Sequence, residues 1–212
     1  MRLVARDDDI LRTLALRLRL LSLEQIAAVW WGPTERGLVG ARRRLAALVA
    51  AGLLRRLRLQ LRPLPALDGP TLAWRPGDPE PDCDAASWRL QSRWKESARA
   101  TIVYIATKHG SNQFGGRQRG ALRRAFQATH DLGVSAVYLQ LRAINKEDVS
   151  DWIGEDLLAP HRRGEILPDA VLADGPQARP RLVVEFGGAY AAERVRRFHA
   201  YCRDERLPYQ LW

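Results

Sequence analysis

A proline-rich stretch at the end of the first third of the chain limits its fold more than any other sequence feature. Residues 75–82, Arg-Pro-Gly-Asp-Pro-Glu-Pro-Asp, contain three prolines. Because proline has a fixed φ and no backbone N–H, this stretch cannot continue a helix or a central strand. The chain has 212 residues, 46% of them hydrophobic, which is enough to fill two small cores. We therefore predict two domains, residues 1–75 and 85–212, joined by a linker at 76–84.

The net charge of +10 is unevenly distributed between these two segments. Residues 1–76 contain 14 arginines and 6 acidic residues, for a net charge of +8, whereas residues 77–212 have 20 basic and 18 acidic residues, for +2. A GC-rich genome would explain arginine in place of lysine, but not this asymmetry. Phosphate neutralisation supplies most non-specific affinity for DNA, so the N-terminal segment is expected to bind a polyanion.

Three helices are predicted in the N-terminal segment. Asp8 or Asp9 can cap a first helix whose apolar positions follow the helical period. Ser22 and Gln25 have capping-box spacing and start a short second helix. Thr34 starts a third helix, and Gly52 can end it in a left-handed conformation.

The outward face of the third helix is basic and slim. On a helical wheel Arg36, Gly40 and Arg43 lie opposite the apolar stripe, with Arg44 beside them. Such a face suits a recognition helix, because small residues let the backbone approach the groove while arginines reach phosphates or guanine edges. The alternative interpretation is an ordinary solvated helix surface.

Leucine and arginine alternate directly after the third helix. Arg56, Arg58 and Arg62 would share one face of a strand at residues 55–62, and residues 71–74 would form the return strand of a hairpin. Three helices and a hairpin are the winged-helix order, although charged strands also serve to blunt sheet edges. The predicted DNA-binding residues are Arg36, Gly40, Arg43, Arg44, Arg56, Arg58 and Arg62.

The second domain is predicted to have the element order αβββαβ, so that the protein combines α+β and α/β elements in two domains. An irregular segment with a helix around residues 149–158 interrupts this order. The predicted elements are a helix at 117–130, strands at 134–142, 168–174 and 181–186, a helix at 190–206 and a strand at 209–212.

This second domain resembles the core of the PD-(D/E)XK nucleases, also described as restriction-endonuclease-like. Pro168-Asp169 opens one strand, and the sequence Val-Glu-Phe-Gly at 184–187 ends the next. The resemblance implies that Asp169 and Glu185 are metal ligands, since hard cations prefer carboxylate oxygens. Gly187 stands where the family has its lysine. The side chain of Arg194 could occupy the position of that lysine, but arginine does not lose a proton readily and cannot act as a base.

The chain as a whole is similar to the replication-relaxation family of bacterial and mobile-element proteins. The likeness rests on a winged helix before a degenerate nuclease-like domain, on the string Thr-His-Asp-Leu-Gly-Val at 129–134, and on Pro168-Asp169 and Val184-Glu185. It implies a role in plasmid replication, transfer or transcription control.

The leading hypothesis is a non-catalytic double-stranded DNA-binding protein that needs no cofactor, acting as a transcriptional regulator or a replication or mobile-element accessory factor. One alternative is a Mg²⁺-dependent DNA endonuclease using Asp169 and Glu185, and another is a protein-interaction adaptor. Homodimerisation and a protein partner for the C-terminal domain stay open. No apolar run reaches the length of a membrane span, so we expect a cytoplasmic, nucleoid-associated protein without membrane contact. Cys83 and Cys202 lack the spacing of a zinc site.

Overall fold

A computed structural model of the protein describes residues 2–116, 125–162 and 166–212, which form a mixed α/β fold with two sheets. The chain divides into two compact units. The first unit comprises residues 1–63 and 97–136, and the second comprises residues 64–96 and 137–212. Among the described residues, no helix has both the length and the hydropathy needed to cross a bilayer.

The elements of the described chain are short, apart from α3 and α6. A π-helical turn, Thr13–Arg17, extends α1, and a 3₁₀ turn, Asp148–Asp151, precedes β5. In chain order they are α1 (Ala5–Arg12), β1 (Leu21–Ser22), α2 (Leu23–Trp30), α3 (Glu35–Ala50), β2 (Leu54–Leu61), β3 (Leu72–Trp74), α4 (Cys83–Ser92), β4 (Arg99–Ala106), α5 (Lys108–Asn112), α6 (Ala125–Ile144), β5 (Trp152–Gly154), α7 (Glu155–Leu158), β6 (Ala170–Leu172), β7 (Leu182–Glu185), α8 (Ala192–Asp204) and β8 (Tyr209–Leu211).

The predicted start of α2 and the predicted start and end of α3 are confirmed by their backbone contacts, whereas α1 begins at Ala5 and not after the predicted cap, Asp8 or Asp9. The backbone N–H of Gln25 donates to the Ser22 hydroxyl at 3.1 Å, and the Ser22 N–H donates to the Gln25 side chain at 3.0 Å, which completes the capping box of α2. Thr34 accepts from the Gly37 N–H at 3.0 Å and so caps α3. Gly52 has a φ of +72°, the left-handed conformation that lets Leu53 turn back into the core.

The core of the first unit lies between its three N-terminal helices. Ile10 and Leu11 of α1, and Ile26 of α2, are fully buried, as are Ala41, Leu45 and Leu48 of α3. Positions 41, 45 and 48 recur at helical spacing, so one side of α3 is apolar and the opposite side is left to solvent.

The first sheet is antiparallel and has the strand order β1-β4-β2. Residues 72–74 do form a strand, β3, but its predicted hairpin pairing with β2 is wrong. The partner of β2 is β4, paired over eight residues from Leu54↔Ala106 to Leu61↔Arg99, while β3 pairs with β8 in the second sheet. A three-residue strand cannot match the eight residues of β2, whereas the β-branched and aromatic residues of β4 can.

The second sheet has the order β3-β8-β7-β6-β5 and belongs to the second unit. Strands β5, β6 and β7 form an antiparallel meander, and α8 provides the crossover between β7 and the parallel strand β8. Helices α4 and α8 cover one face of this sheet, where Leu90, Val195 and Phe198 pack against Val183 and Tyr209.

The predicted strand at 134–142 is wrong because these residues belong to α6. Its buried positions include Ala128, Leu132, Ser135 and Leu139, which recur at helical spacing. Tyr138 and neighbouring apolar residues are buried as well, so the helix has no continuous polar face and its sequence resembles a strand. Residues 117–124, the first part of the helix predicted at 117–130, lie outside the described residues.

From α6 onward, if the short helix α7 between β5 and β6 is set aside, the element order is helix, three strands, helix, strand, with β5 in place of the strand expected at 134–142. Residues 149–158, predicted as a helix, contain the end of the 3₁₀ turn, then β5 and α7. The mixed α/β character of this part of the chain is therefore confirmed, whereas the first predicted strand and the helix predicted at 149–158 are not.

The predicted division into residues 1–75 and 85–212 does not match the two units. The expected linker at 76–84 belongs to the second unit and is held there by packing. Asp82 caps α4 by accepting from the Ala85 N–H, Cys83 is buried in the core, and the Glu80 carboxylate lies 2.8 Å from Nε2 of His199 on α8. The chain instead passes between the units near residues 63, 96 and 136.

Candidate functional site

The solvent face of α3 carries three exposed arginines. Arg36, Arg42 and Arg43 lie on the turns opposite or beside the buried positions Ala41 and Leu48. Within the described part of the chain, no carboxylate forms an ion pair with any of these three guanidinium groups. Two of them, Arg36 and Arg43, were predicted as DNA-binding residues, and Arg42 was not.

Arg44 does not belong to this outward set. Its Nε donates to the Asp7 carboxylate at 2.9 Å, and its Nη2 contacts both the other Asp7 oxygen and the carbonyl of Arg2. Asp7 is fully buried, so Arg44 is turned inward to compensate a carboxylate that would otherwise lack a countercharge. The predicted outward position of Arg44 is therefore wrong, and its contacts connect α3 to α1.

The pKa of Asp7 reflects two opposing effects. Burial by itself raises the pKa, but hydrogen bonds from Arg44 and from the backbone N–H of Val4, with the charge of Arg44, outweigh it. The pKa of Asp7 consequently lies below its ordinary value, and the carboxylate is ionised at neutral pH.

The prediction treated Gly40 as a small residue that leaves the helix backbone open to a DNA groove. In the structure Trp31 covers this position. A Cβ at this position would lie 3.0 Å from Cδ1 of Trp31, so the absence of a side chain allows the indole to pack against α3. The guanidinium of Arg6 stacks on the Trp31 ring, with Cζ 4.4 Å from the centroid. Arg6 is exposed and adds a further cation beside the α3 surface.

The predicted arginines of the hairpin have different surroundings. Arg56 and Arg58 are exposed on β2, opposite Tyr104 and Ile102 of β4. Burial raises the pKa of Tyr104, and the nearby charge of Arg56 partly opposes that rise. Arg62 lies just beyond the strand and is exposed, and its backbone N–H donates to Thr129 at 3.3 Å.

The 129–134 string, on which the family resemblance partly rests, connects α6 to the N-terminal helices. Asp131 accepts from Nη1 of Arg19 through both oxygens, at 3.0 and 3.1 Å. The Leu132 carbonyl accepts from the Gln25 side chain at 3.1 Å. One turn later, the Ser135 hydroxyl donates to the Leu20 carbonyl at 2.6 Å. These contacts give the string a structural role within the first unit.

The structural division makes the charge asymmetry larger than the sequence suggested. By sequence, the first unit has 19 basic and 6 acidic residues, for a net charge of +13, whereas the second has 15 basic and 18 acidic residues, for −3. The difference from the predicted +8 and +2 arises because residues 97–136 belong to the first unit and contain a single acidic residue, Asp131. A polyanion is therefore expected to bind the first unit.

The second predicted site, Asp169 and Glu185, lies where β6 and β7 meet in the second unit. Asp169 immediately precedes β6, and Glu185 is the last residue of β7. The Asp169 N–H donates to Glu185 Oε2 at 3.2 Å, and the Phe186 N–H donates to Asp169 Oδ2 at 2.7 Å. The two acidic residues are thus brought together as predicted.

Glu185 also has contacts with residues at the start of α8. The Tyr190 hydroxyl donates to Glu185 Oε1 at 2.5 Å and accepts from Nη2 of Arg194 at 2.5 Å. The same Arg194 nitrogen lies 3.7 Å from Glu185 Oε1, and the guanidinium stacks on the Tyr190 ring. Burial, and then the charge of Glu185, raise the pKa of Tyr190, so its hydroxyl keeps the proton that it donates.

Gly187, the position at which the nuclease resemblance would place a lysine, is closely packed. A Cβ at Gly187 would lie 2.8 Å from both methyl carbons of Leu90 and 3.0 Å from a methyl of Leu211. Both leucines are fully buried, so neither can move aside without disturbing the core. A longer side chain at position 187 has no room in this packing.

These contacts do not fit a divalent metal ion at Asp169 and Glu185. The Glu185 carboxylate is 8% exposed and already accepts from a hydroxyl and a backbone N–H beside a guanidinium. Residues 2–116, 125–162 and 166–212 contain no group of three or more His, Cys, Asp or Glu side chains placed to hold a metal. The positive charge next to Glu185 is supplied by Arg194.

No known family model matches the chain, and neither does any curated protein or solved structure with which it was compared. The resemblances to the PD-(D/E)XK nucleases and to the replication-relaxation family therefore stay predictions.

Two exposed cations on or beside the α3 surface, Arg6 and Arg42, were not among the predicted DNA-binding residues. Arg42 lies about 100° around the helix from Arg43, outside the narrow line drawn through Arg36 and Arg43. Arg6 precedes the acidic run that was expected to start the first helix, but α1 begins at Ala5. The buried position of Asp7 carries no clear sequence signal, so the inward turn of Arg44 could not be foreseen.

Proposed function

We propose that the first unit is a winged helix-turn-helix that binds double-stranded DNA, with α3 as the recognition helix and β2 and β4 as the wing. The chain order α1, β1, α2, α3, β2 and β4, with the sheet order β1-β4-β2, supports such a domain. The observation that carries the proposal is the exposed arginine set of α3 in a unit of net charge +13.

The arginines on α3 and on the wing suit different parts of a duplex. Arg36 and Arg43 are seven residues apart, about 10.5 Å along the helix axis, so they can reach phosphates or base edges along a major groove. Arg58 and Arg62 of the wing are exposed and suit contacts with the phosphate backbone. Arg44 is left out of the proposed contact set because it is paired with Asp7.

For the second unit we infer a PD-(D/E)XK-like fold without nuclease activity. The order of α6, β5, β6, β7, α8 and β8 supports the fold, and the meeting of Asp169 with Glu185 supports the resemblance. Gly187 at the lysine position, closely packed by Leu90, and Arg194 beside Glu185 argue against metal-dependent cleavage. The protein then acts as a transcriptional regulator or a replication or mobile-element accessory factor, in the cytoplasm and on the nucleoid.

Duplex binding is tested with the full chain and a fluorescently labelled 30-base-pair duplex, by anisotropy over a range of salt concentrations. Affinity is expected to fall steeply with salt, and Arg43→Ala should weaken binding and reduce the log–log slope by about 1. Arg89→Ala, which removes an exposed arginine from α4 of the second unit, is the matched control. It should leave the duplex affinity and the slope of its salt dependence unchanged. Duplex binding that is insensitive to salt and to Arg43→Ala would overturn the proposal.

The endonuclease alternative is tested by incubating the protein with supercoiled plasmid and Mg²⁺ or Mn²⁺. We expect no nicking above that of the Glu185→Ala variant. Nicking that requires both Asp169 and Glu185 would restore the nuclease and limit the proposal to the first unit.

A further inference from the structure

One apolar side chain interrupts the basic face of α3. Val39 is 62% exposed, although valine is normally buried, and it is the most exposed large hydrophobic residue described in the first unit. It lies opposite the buried Leu48 on the helical wheel, so it cannot reach the core by a change of side-chain rotamer.

The exposed arginines flank Val39 on both sides. Arg36 lies three residues before it and Arg43 four residues after it, which places all three side chains within about 60° on the helix surface. Trp31 packs next to this group over Gly40, with Arg6 stacked on the indole. The apolar side chain thus lies within the surface that is proposed to face DNA.

The chemistry of the major groove offers one apolar group to such a side chain. Phosphates, sugar oxygens and most base edges are polar, whereas thymine presents its C5-methyl group in the major groove. Three and four residues of helix span about 4.5 and 6 Å, and base pairs are stacked about 3.4 Å apart. Arg36 and Arg43 can therefore hold the helix in register while Val39 contacts a base one or two steps away.

We propose that Val39 contacts the C5-methyl group of a thymine and so gives the protein a sequence preference that its arginines alone would not provide. The inference rests on the proposed binding of duplex DNA by α3. It identifies the specificity-determining residue of that surface and the chemical group that this residue recognises.

The experiment begins with selection of bound duplexes from a random 20-base-pair library by the full chain. Each thymine of the selected duplex is then replaced by deoxyuridine, which removes only the methyl group. At one or two positions this change should weaken wild-type binding about fourfold, the factor that 0.8 kcal/mol for one buried methyl represents. In Val39→Ala the same replacement should have no effect.

Val4→Ala is the control, because Val4 is 53% exposed outside α3 and its removal should leave the deoxyuridine effect intact. Alanine is well tolerated in helices, so Val39→Ala is expected to fold. The inference is overturned if every replacement affects wild type and Val39→Ala equally, or if selection enriches no sequence while salt-dependent binding persists. Loss of the proposed function itself would be distinguished by the absence of duplex binding to the unselected library.

Discussion

Arginines have different surroundings in the two units. On α3 of the first unit, Arg36, Arg42 and Arg43 face solvent without a carboxylate partner among the described residues. In the second unit, three exposed arginines are paired with acidic side chains, Arg181 with Asp151 at 2.6 Å, Arg196 with Asp84 at 2.5 Å and Arg203 with Asp204 at 3.0 Å. Arginine content alone therefore does not identify an interface, because neighbouring acidic residues decide which guanidinium groups are available to a partner.

The largest effect is expected from removing the three arginines of α3 together. Alanine at positions 36, 42 and 43 should lower duplex affinity at least about 100-fold, since three contacts of roughly 1 kcal/mol or more are lost. Anisotropy with a labelled duplex at fixed salt measures the change.

A triple variant of the second unit, Arg75→Ala with Arg89→Ala and Arg197→Ala, removes the same charge from exposed positions. Its duplex affinity should stay within about twofold of wild type. Equal losses in the two triple variants would mean that only the net charge matters, and the comparison between the units would fail.

The next largest effect concerns the paired arginine of α3. Asp7→Ala should lower the free energy of unfolding by roughly 2–3 kcal/mol, because a buried ion pair loses one member and the helix start loses a hydrogen bond. Asp8→Ala is the matched control, since Asp8 forms an exposed pair with Arg12 and should cost well under about 1 kcal/mol. Urea unfolding followed by circular dichroism compares them, and similar losses would contradict the structural role of Asp7.

The same pair predicts how stability depends on pH. The pKa of Asp7 in the folded protein lies below the ordinary value of 3.8. The stabilisation that the ionised carboxylate provides is therefore complete above pH 3.8, and it is lost as the pH falls through the pKa of the folded state. The stability difference between wild type and Asp7→Asn should therefore be constant from pH 7 to 5 and shrink at more acidic pH. A difference that persists unchanged at pH 2 would contradict this assignment.

The smallest effect tests the second unit. Gly187→Ala should destabilise the protein by about 1–3 kcal/mol, because the new methyl meets Leu90 in a filled core. Gly175→Ala is the control, since no atom lies within 4 Å of a Cβ there. If Gly187→Lys folds normally and nicks plasmid DNA, the packing argument is wrong and the second unit also acts on DNA.

Local sequence signals predicted the N-terminal helices well. Ser22 with Gln25, Thr34 and Gly52 act within a few residues of themselves, so their hydrogen bonds and φ preferences can be inferred from the chain alone. The resemblance to the PD-(D/E)XK nucleases implied that Asp169 and Glu185 lie close together, and the Asp169 N–H does donate to the Glu185 carboxylate.

The pairing of β2 could not be read from local signals. Asp68-Gly69 is a good turn sequence, and nothing near it indicates that the true partner strand begins at Arg99. The strand expected at 134–142 failed because α6 is buried on several sides, which removes the polar face that identifies a helix. At the candidate sites, Arg44 pairs with Asp7, and Trp31 packs against Gly40. Both contacts depend on tertiary packing, so local sequence signals do not predict them.

The separation of β2 from β4 also bears on how the protein is made. Residues 62–98 must be synthesised after β2 before its partner β4 leaves the ribosome, so β2 remains an unpaired strand for that interval. Arg55, Arg56 and Arg58 place positive charge along this strand, and such charge discourages pairing between nascent chains. Arg58, which is proposed to contact DNA in the folded protein, would thus also help to protect the unfinished chain from aggregation.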